Sequence, residues 1–382
     1  MGTSQADNPT AKKTATGATR TTLKSDSLMA DDLTLQIGGV NISGWKSTKV
    51  TRGIERCPSS FDLELTDRFP GEKSSVQAKP GDACTVLLGS DLVVTGYIDA
   101  LLPFYRGGDH GIRLAGRGKC QDLVDSSAEW PGGQISGTSA LDIASKLAEP
   151  YGITVSAPDG EGPSIPQFNL MLGETGYQII ERVCRAAGML CYEDADGNLV
   201  LARSGSQVHA SGIQEGANIL EARAEYSFAD RFAEYDVFML GMDVLGDTGD
   251  GGNLIASSTD GSIKRHRKLY VLADEGIIGA GLAQTRADWE ASRRWGRGAQ
   301  LFVTVDSWRD SAGKLWMPNV QIPVMAPNLK WTRGPNAMIT EVAYTKDDQG
   351  TRADLHLMPP EAFTPEPIVL QPSVNDVTPA GK

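Results

Sequence analysis

Apolar and polar residues alternate along most of this chain, and the period lengthens from two to about 3.6 in three places only. Phe61-Asp62-Leu63-Glu64-Leu65-Thr66 alternates strictly, the mark of a strand with one dry face. Leu33 to Val40 reads as a strand broken at Gly38-Gly39. Ala83 to Leu88 and Leu92 to Ile98 flank Gly89-Ser90-Asp91 as a hairpin, and Gly111 to Gly116 adds a short strand. Together these predict a first β-barrel domain over 29–129.

The next stretch changes period. Ser139 is placed to cap a helix, with Asp142 three residues on, Leu141, Ala144, Leu147 and Ala148 on one face, and Pro150 at its end. Thr175 repeats the design, with Tyr177, Ile180, Val183, Cys184 and Ala187 sharing a face before Gly188. A hairpin turning at Asp196-Gly197 follows, so 130–204 is predicted to be a small α/β domain.

Strand patterns return at Ile219 to Phe228, Tyr235 to Gly241, Leu301 to Val305, Val320 to Met325, Ala337 to Tyr344 and Ala353 to Met358. They predict a second β-barrel domain over 205–358, interrupted by one helix from Leu282 to Trp295. Trp308 and Trp316 lie on either side of a turn at Ala312-Gly313. Residues 245–262, rich in Gly and Asp, are expected to form an exposed loop.

The ends differ from the middle. Residues 1–28 hold Thr, Ala and Lys with almost no large apolar side chain, which predicts a flexible N-terminal arm. Residues 359–382 carry a proline every few positions and are expected to run as an extended C-terminal strap.

Composition adds limits. The 382 residues allow several cores, and 43 glycines with 20 prolines favour turns and strands over helices. A formal charge of -12 argues against nucleic acid or an anionic membrane surface as the main ligand. Cys57, Cys84, Cys120, Cys184 and Cys191 are widely spaced, without a C-x-x-C pair, which suits a reducing compartment better than a disulfide framework or zinc site. No apolar run has the length of a membrane span, and the first residues lack a signal-peptide h-region, so synthesis in the cytosol without a membrane anchor is expected.

Candidate chemistry is weak at every position. Arg52 and Arg56 beside Cys57 resemble an activated thiol, but no histidine stands in a catalytic context to serve as base. An exposed lead-in is preferred for Arg52 and Arg56, with Pro58 setting a bend and Cys57 incidental. His110, His209, His266 and His356 lie in separate segments without metal-ligand spacing. Residues 193–198, Glu-Asp-Ala-Asp-Gly-Asn, resemble the start of a calcium loop, but Leu199 stands where that loop needs glycine, and a hairpin turn explains them.

The Asp247-Thr248-Gly249 triplet has no second copy for an aspartic dyad. Residues 276–284 end in Gln284, where a dinucleotide fingerprint needs Gly or Ala. Lys264 to Lys268 and Arg286, Arg293, Arg294 and Arg297 are read as solvated or subunit-contacting surface rather than a phosphate site. No paired carboxylates mark a glycosidase. No catalytic, cofactor-binding or metal-ligating residue is assigned, and no cofactor is expected.

Three stretches carry a resemblance. Val50 to Pro70 is an Arg- and Ser-containing lead-in to an F-x-L-x-L strand; Gly137 to Val155 is followed by Glu174 to Arg203; Arg286 to Asn319 is followed by Leu355 to Phe363. In this order, they resemble the baseplate hub proteins of Mu-type contractile phage tails, relatives of tail protein D and of the N-terminal part of VgrG. The resemblance implies a mainly β fold with α+β character: two β-barrel domains, with a small α/β domain between them, forming a pseudo-six-fold ring in a homotrimer.

Such a ring would join a hexameric tail tube to a trimeric central spike, next to baseplate wedge and tape-measure proteins, in the tail baseplate of a virion assembled in the host cytoplasm. DNA would pass through the lumen without specific binding, and acidic walls would let it slide. The alternatives are the hub of a tailocin or type VI-like injection device and, from a different class, a cell-envelope hydrolase.

Overall fold

A strand whose side chains alternate between dry and wet can join a sheet covered on one face only, and repetition of that pattern builds the main layer of this protein. The computed structural model describes residues 31–66, 78–107, 109–130, 133–162, 164–239, 254–273 and 280–364. Strand outweighs helix by 46% to 18%, so sheet pairing dominates the architecture.

The first segment holds β1 (Leu33–Ile37), β2 (Val40–Ile42), β3 (Ser47–Gly53), β4 (Ser60–Thr66), β5 (Ala83–Leu88), β6 (Asp91–Arg106) and β7 (Asp109–Gly118). Gly38 and Gly39 both have positive φ, +55° and +83°, which turns the expected broken strand into the β1–β2 hairpin. In β4, Phe61, Leu63 and Leu65 are buried, as the alternation predicts. Burying each such side chain stabilises by about 1.5–3 kcal/mol.

The middle segment contains α1 (Gln121–Asp125), β8 (Gln134–Ser139), α2 (Ala140–Ala148), β9 (Val155–Ser156), β10 (Ser164–Asn169), α3 (Gly176–Ala187), β11 (Leu190–Glu193) and β12 (Leu199–Ala202). Both predicted caps are present. The Ser139 side chain accepts from the Asp142 amide, and Thr175 and Gln178 form a reciprocal capping box. Ile143, Ala144 and Leu147 of α2 meet Ile179, Ile180 and Val183 of α3 in a separate core that includes Cys120 and Leu201.

The last segment comprises β13 (Ile213–Gln214), β14 (Ile219–Tyr226), β15 (Glu234–Met239), β16 (Leu254–Thr259), β17 (Lys268–Ala273), α4 (Ala280–Arg297), β18 (Ala299–Val305), β19 (Gln321–Met325), β20 (Asn336–Asp347) and β21 (Gly350–Met358). The loop expectation for 245–262 is corrected here. Leu254–Thr259 pairs with β15 from Phe238↔Leu254 to Glu234↔Thr259, because its apolar and β-branched residues suit a strand more than the preceding Gly-Asp run suggested. Residues 245–253 lie outside the described residues. The β16-β15-β17 sheet packs Val237 and Ala256 against Ala283 and Ala287 of α4.

The remaining strands of the first and last segments form one sheet, ordered β14-β18-β21-β20-β3-β4-β7-β6-β5-β1-β2 with β19 branching from β20 and carrying β13, curled as a half-barrel. The junction is β3 against β20, antiparallel, from Lys346↔Thr48 to Glu341↔Gly53. A single core runs across it from Leu33 to Leu357 and includes Trp308, Trp316 and Tyr344. Both indoles find acceptors, Trp308 Nε1 donating to the Thr345 carbonyl (3.0 Å) and Trp316 Nε1 to that of Ser307 (2.9 Å). After β21, Pro360–Phe363 forms a short 3-10 turn that buries Ala362 and Phe363. The arm at 1–28 and the strap beyond Thr364 lie outside the described residues.

Leu63 is fully buried in β4 near the junction. Leu63→Ala is expected to lower the unfolding free energy by about 2–5 kcal/mol in urea titration, and a loss below about 1 kcal/mol would contradict this packing.

Candidate functional site

A cleft of about 600 Å³ opens where three parts of the chain meet. Arg52 at the end of β3 and Asp91 and Leu92 at the β5–β6 turn supply one wall. Ala195 of the β11–β12 turn supplies another, and residues 207–210 with the 310–317 hairpin close it. Of the residues singled out in the sequence, Arg52 and His209 come together here.

Arg52 corrects an expectation. It is 5% exposed and belongs to an interior strand, whereas an exposed lead-in was predicted. β3 lies inside the sheet between β20 and β4, and its Thr48, Thr51 and Arg52 are buried although its own sequence is polar. Arg56 is exposed as expected, reaching Glu341 (3.2 Å) and Ser60 Oγ (3.1 Å). Neither arginine activates Cys57. A hydrogen bond with the Cys120 side chain favours the Cys57 thiolate, but burial and the nearby Glu193 and Cys191 outweigh it and push its pKa up.

His209 and Asp310 form a buried pair, Nδ1 to Oδ2 at 3.1 Å. His209 Nε2 accepts from the Met317 amide at 3.2 Å, which places the ring proton on Nδ1. Burial lowers the His209 pKa despite Asp310. For Asp310, burial acts to raise the pKa, but it is outweighed by His209 and by the amides of Lys314 (3.0 Å), Ala210 (3.2 Å) and Ala312 (2.9 Å), which hold it below the usual value. With both ring nitrogens engaged, His209 is a structural strut: it has no free nitrogen to take a proton from a nucleophile.

The other histidines are scattered. Exposed His110 packs on Tyr105, His356 stacks on Phe302 and contacts Gln300 (2.8 Å), and His266 is exposed. Among the described residues, no group of three or more His, Cys, Asp or Glu is arranged to hold a metal ion. The 193–198 segment is a turn, as expected, with the Asn198 amide donating to Asp194 Oδ1 (2.9 Å). Gln284, where a dinucleotide fingerprint needs Gly or Ala, is a polar residue of α4 bonded to Asp288 (3.0 Å); residues 276–279 of that stretch and Asp247 to Gly249 lie outside the described residues.

The basic residues of α4 are partly exposed and also contact their own chain. Arg286 (3.0 Å) and Arg294 (2.7 Å) share Glu290, Arg293 reaches the Ala362 carbonyl (3.4 Å) and Arg297 pairs with Glu55. Lys268 of the other basic run bridges Glu234 (3.0 Å) and Asp236 (2.7 Å). Arg293 and Arg297 tie α4 to the chain around it, whereas the Glu290 and Lys268 pairs brace the unit internally.

Sequence reasoning missed Glu193. Its 3% exposed carboxylate accepts from the amides of Ser59 and Cys120, each at 2.8 Å, and so ties the β11 hairpin to the β3–β4 and β7–α1 connections. A Cβ at position 118 would lie 1.9 Å from that carboxylate, so Gly118 is required for the approach. Burial raises the Glu193 pKa, and the two amides offset part of the effect. The available signal was an acidic residue closing an otherwise apolar strand pattern, Leu190 to Glu193.

A curled β-sheet with a small α/β unit, and with its buried polar groups used as struts, has the architecture of phage tail proteins. The 43 kDa tail protein of prophage MuSo2 from Shewanella oneidensis is 30% identical with a TM-score of 0.77, covering 89% of this chain and all of that one. A tail protein from Neisseria meningitidis MC58 shares the fold at 21% identity and a TM-score of 0.71, over 88% of this chain and 99% of the other.

Family models narrow the class. Residues 32–118 match the N-terminal domain of the Mu phage baseplate assembly protein GpP-like family, 120–203 the second domain of the baseplate hub protein gp44-like family, and 279–366 the fourth domain of GpP. Baseplate hub protein gp44 of Escherichia phage Mu is 33% identical over 344 residues, 88% of this chain and 89% of that protein. The chain belongs to this family of baseplate hub proteins, and its role is that of a hub in the virion tail. No helix among the described residues is long and apolar enough to cross a membrane.

Glu193→Ala would orphan two buried amides and is expected to destabilise by about 2–5 kcal/mol in thermal or urea unfolding. Because the folded-state pKa of Glu193 is raised above 4.5, the folded state binds this proton more tightly, and its contribution to stability falls as pH rises above that value. Wild type should therefore gain stability relative to Glu193→Gln as pH is lowered toward 4.5, and a relative loss by wild type on acidification would contradict the assignment.

Proposed function

We propose that this hub acts without catalysis, as a homotrimeric symmetry adaptor between the hexameric tail tube and the trimeric central spike. The observation that supports this most is the layout of the main sheet about the β3–β20 junction. Outward from it, each half begins with an antiparallel pair, β3–β4 on one side and β20–β21 on the other, and is extended antiparallel by β7 or β18. Two comparable halves in each of three chains present six quasi-equivalent surfaces to a tube and three to a spike.

The sheet face turned away from the core suits contact with neighbours. It runs continuously from Arg223 through Phe302, His356 and Glu341, and from Thr345 through Lys49 and Asp62 to Ala115. Charges of both signs lie along it, with Arg113 forking onto Asp62 at 2.7 and 2.8 Å. Wedge and tape-measure proteins are further expected partners. DNA would pass through the lumen unbound, and the overall charge of -12 favours a repelling wall.

Co-expression with the cognate spike tests the assembly. Native mass measurement should give three copies of the 40.7 kDa chain per complex, and a single copy per spike trimer would overturn the proposal. Purified chain should leave peptidoglycan intact in a zymogram, and clearing would restore the hydrolase alternative.

A further inference from the structure

The cleft beside His209 holds a charge that no described residue balances. Arg52 projects from β3 on the same face as Thr48 and Val50, lines the cleft and is 5% exposed. Its Nε has no hydrogen-bond partner among the described residues, nor does a described carboxylate pair with it. The acidic groups of the cleft are already matched, Asp91 by Arg309 and Asp310 by His209 and three amides. An unpaired guanidinium in such a place is strongly unfavourable, and water can satisfy its N–H groups without neutralising it.

We propose that the cleft is a binding site for a carboxylate carried on a short apolar chain, with Arg52 as its anchor. The guanidinium presents a planar fork that matches the two oxygens of a carboxylate. Leu92, Leu315 and Val320 make the walls largely apolar, and Val208 and Met317 add exposed apolar surface. A phosphate dianion fits less well, because Asp91 and Asp310 line the same space beside Arg52 and Lys314 and oppose a second negative charge. A volume of about 600 Å³ admits a few residues of a peptide or a small organic acid. The shared chemistry is a monoanionic carboxylate next to aliphatic groups, supplied by an Asp or Glu side chain, a chain terminus or a free acid. The inference rests on the cleft alone and stands apart from the trimeric reading.

Calorimetric titration of the full chain at matched ionic strength tests it with four probes: butyrate, acetyl-Leu-Glu-Leu-amide, acetyl-Leu-Gln-Leu-amide and inorganic phosphate. The glutamate peptide should bind at least roughly tenfold more tightly than its glutamine twin. Arg52→Met should abolish that binding without lowering the ligand-free thermal midpoint, and Arg52→Lys should weaken it severalfold. Tighter binding of the peptide than of butyrate assigns the site to a protein segment, whereas the reverse order assigns it to a free acid. Equal binding of the Glu and Gln peptides, a preference for phosphate, heat from neither carboxylate, or affinity retained in Arg52→Met would each overturn the proposal. If Arg52→Met does not fold, the Glu-to-Gln comparison on wild type and the Arg52→Lys titration decide it.

Discussion

The antiparallel pairing of β3 with β20 is the contact on which the rest of this molecule depends. It joins strands from opposite ends of the chain and merges two groups of strands into one sheet over one core. Without it, each half would present an open edge and an uncovered apolar face, both of which invite pairing with other chains. Closing so long a loop before its contacts form is entropically unfavourable, and a core reaching from Leu33 to Leu357 is what offsets that loss.

Around this junction, buried polar groups act as fasteners. Glu193 draws two chain connections onto the β11 hairpin, His209 and Asp310 knit the 207–210 segment to the tryptophan hairpin, and Glu290 gathers two arginines of α4. Each keeps its donors and acceptors occupied, which is the condition under which burial of a charge or an imidazole is tolerated. The same engagement removes these groups from acid–base chemistry. Arg52 departs from this pattern, and the departure draws attention to the cleft.

The hub assignment and the physical picture support each other. A baseplate component must keep its shape while bearing contacts on several sides, and a sheet with one continuous core and a polar outer face meets both demands. The small α/β unit and the α4 unit have their own cores and attach through Glu193 and through the arginines of α4.

Local pattern determined a good deal. Strand patterns located β4, β5, β18 and β21, caps located both helices of the middle unit, the Gly38-Gly39 pair marked a break that the structure makes a hairpin, and the Trp308–Trp316 hairpin followed from turn residues. Those features depend on neighbours within a few residues, so a chain can announce them unaided. Only the tertiary structure decided that β3 is central, that Arg52 is buried, that Leu254–Thr259 is a strand and that Glu193 is a fastener. Each of these is set by partners far away in the chain, which supply the burial or the pairing that the residues' own sequence does not encode.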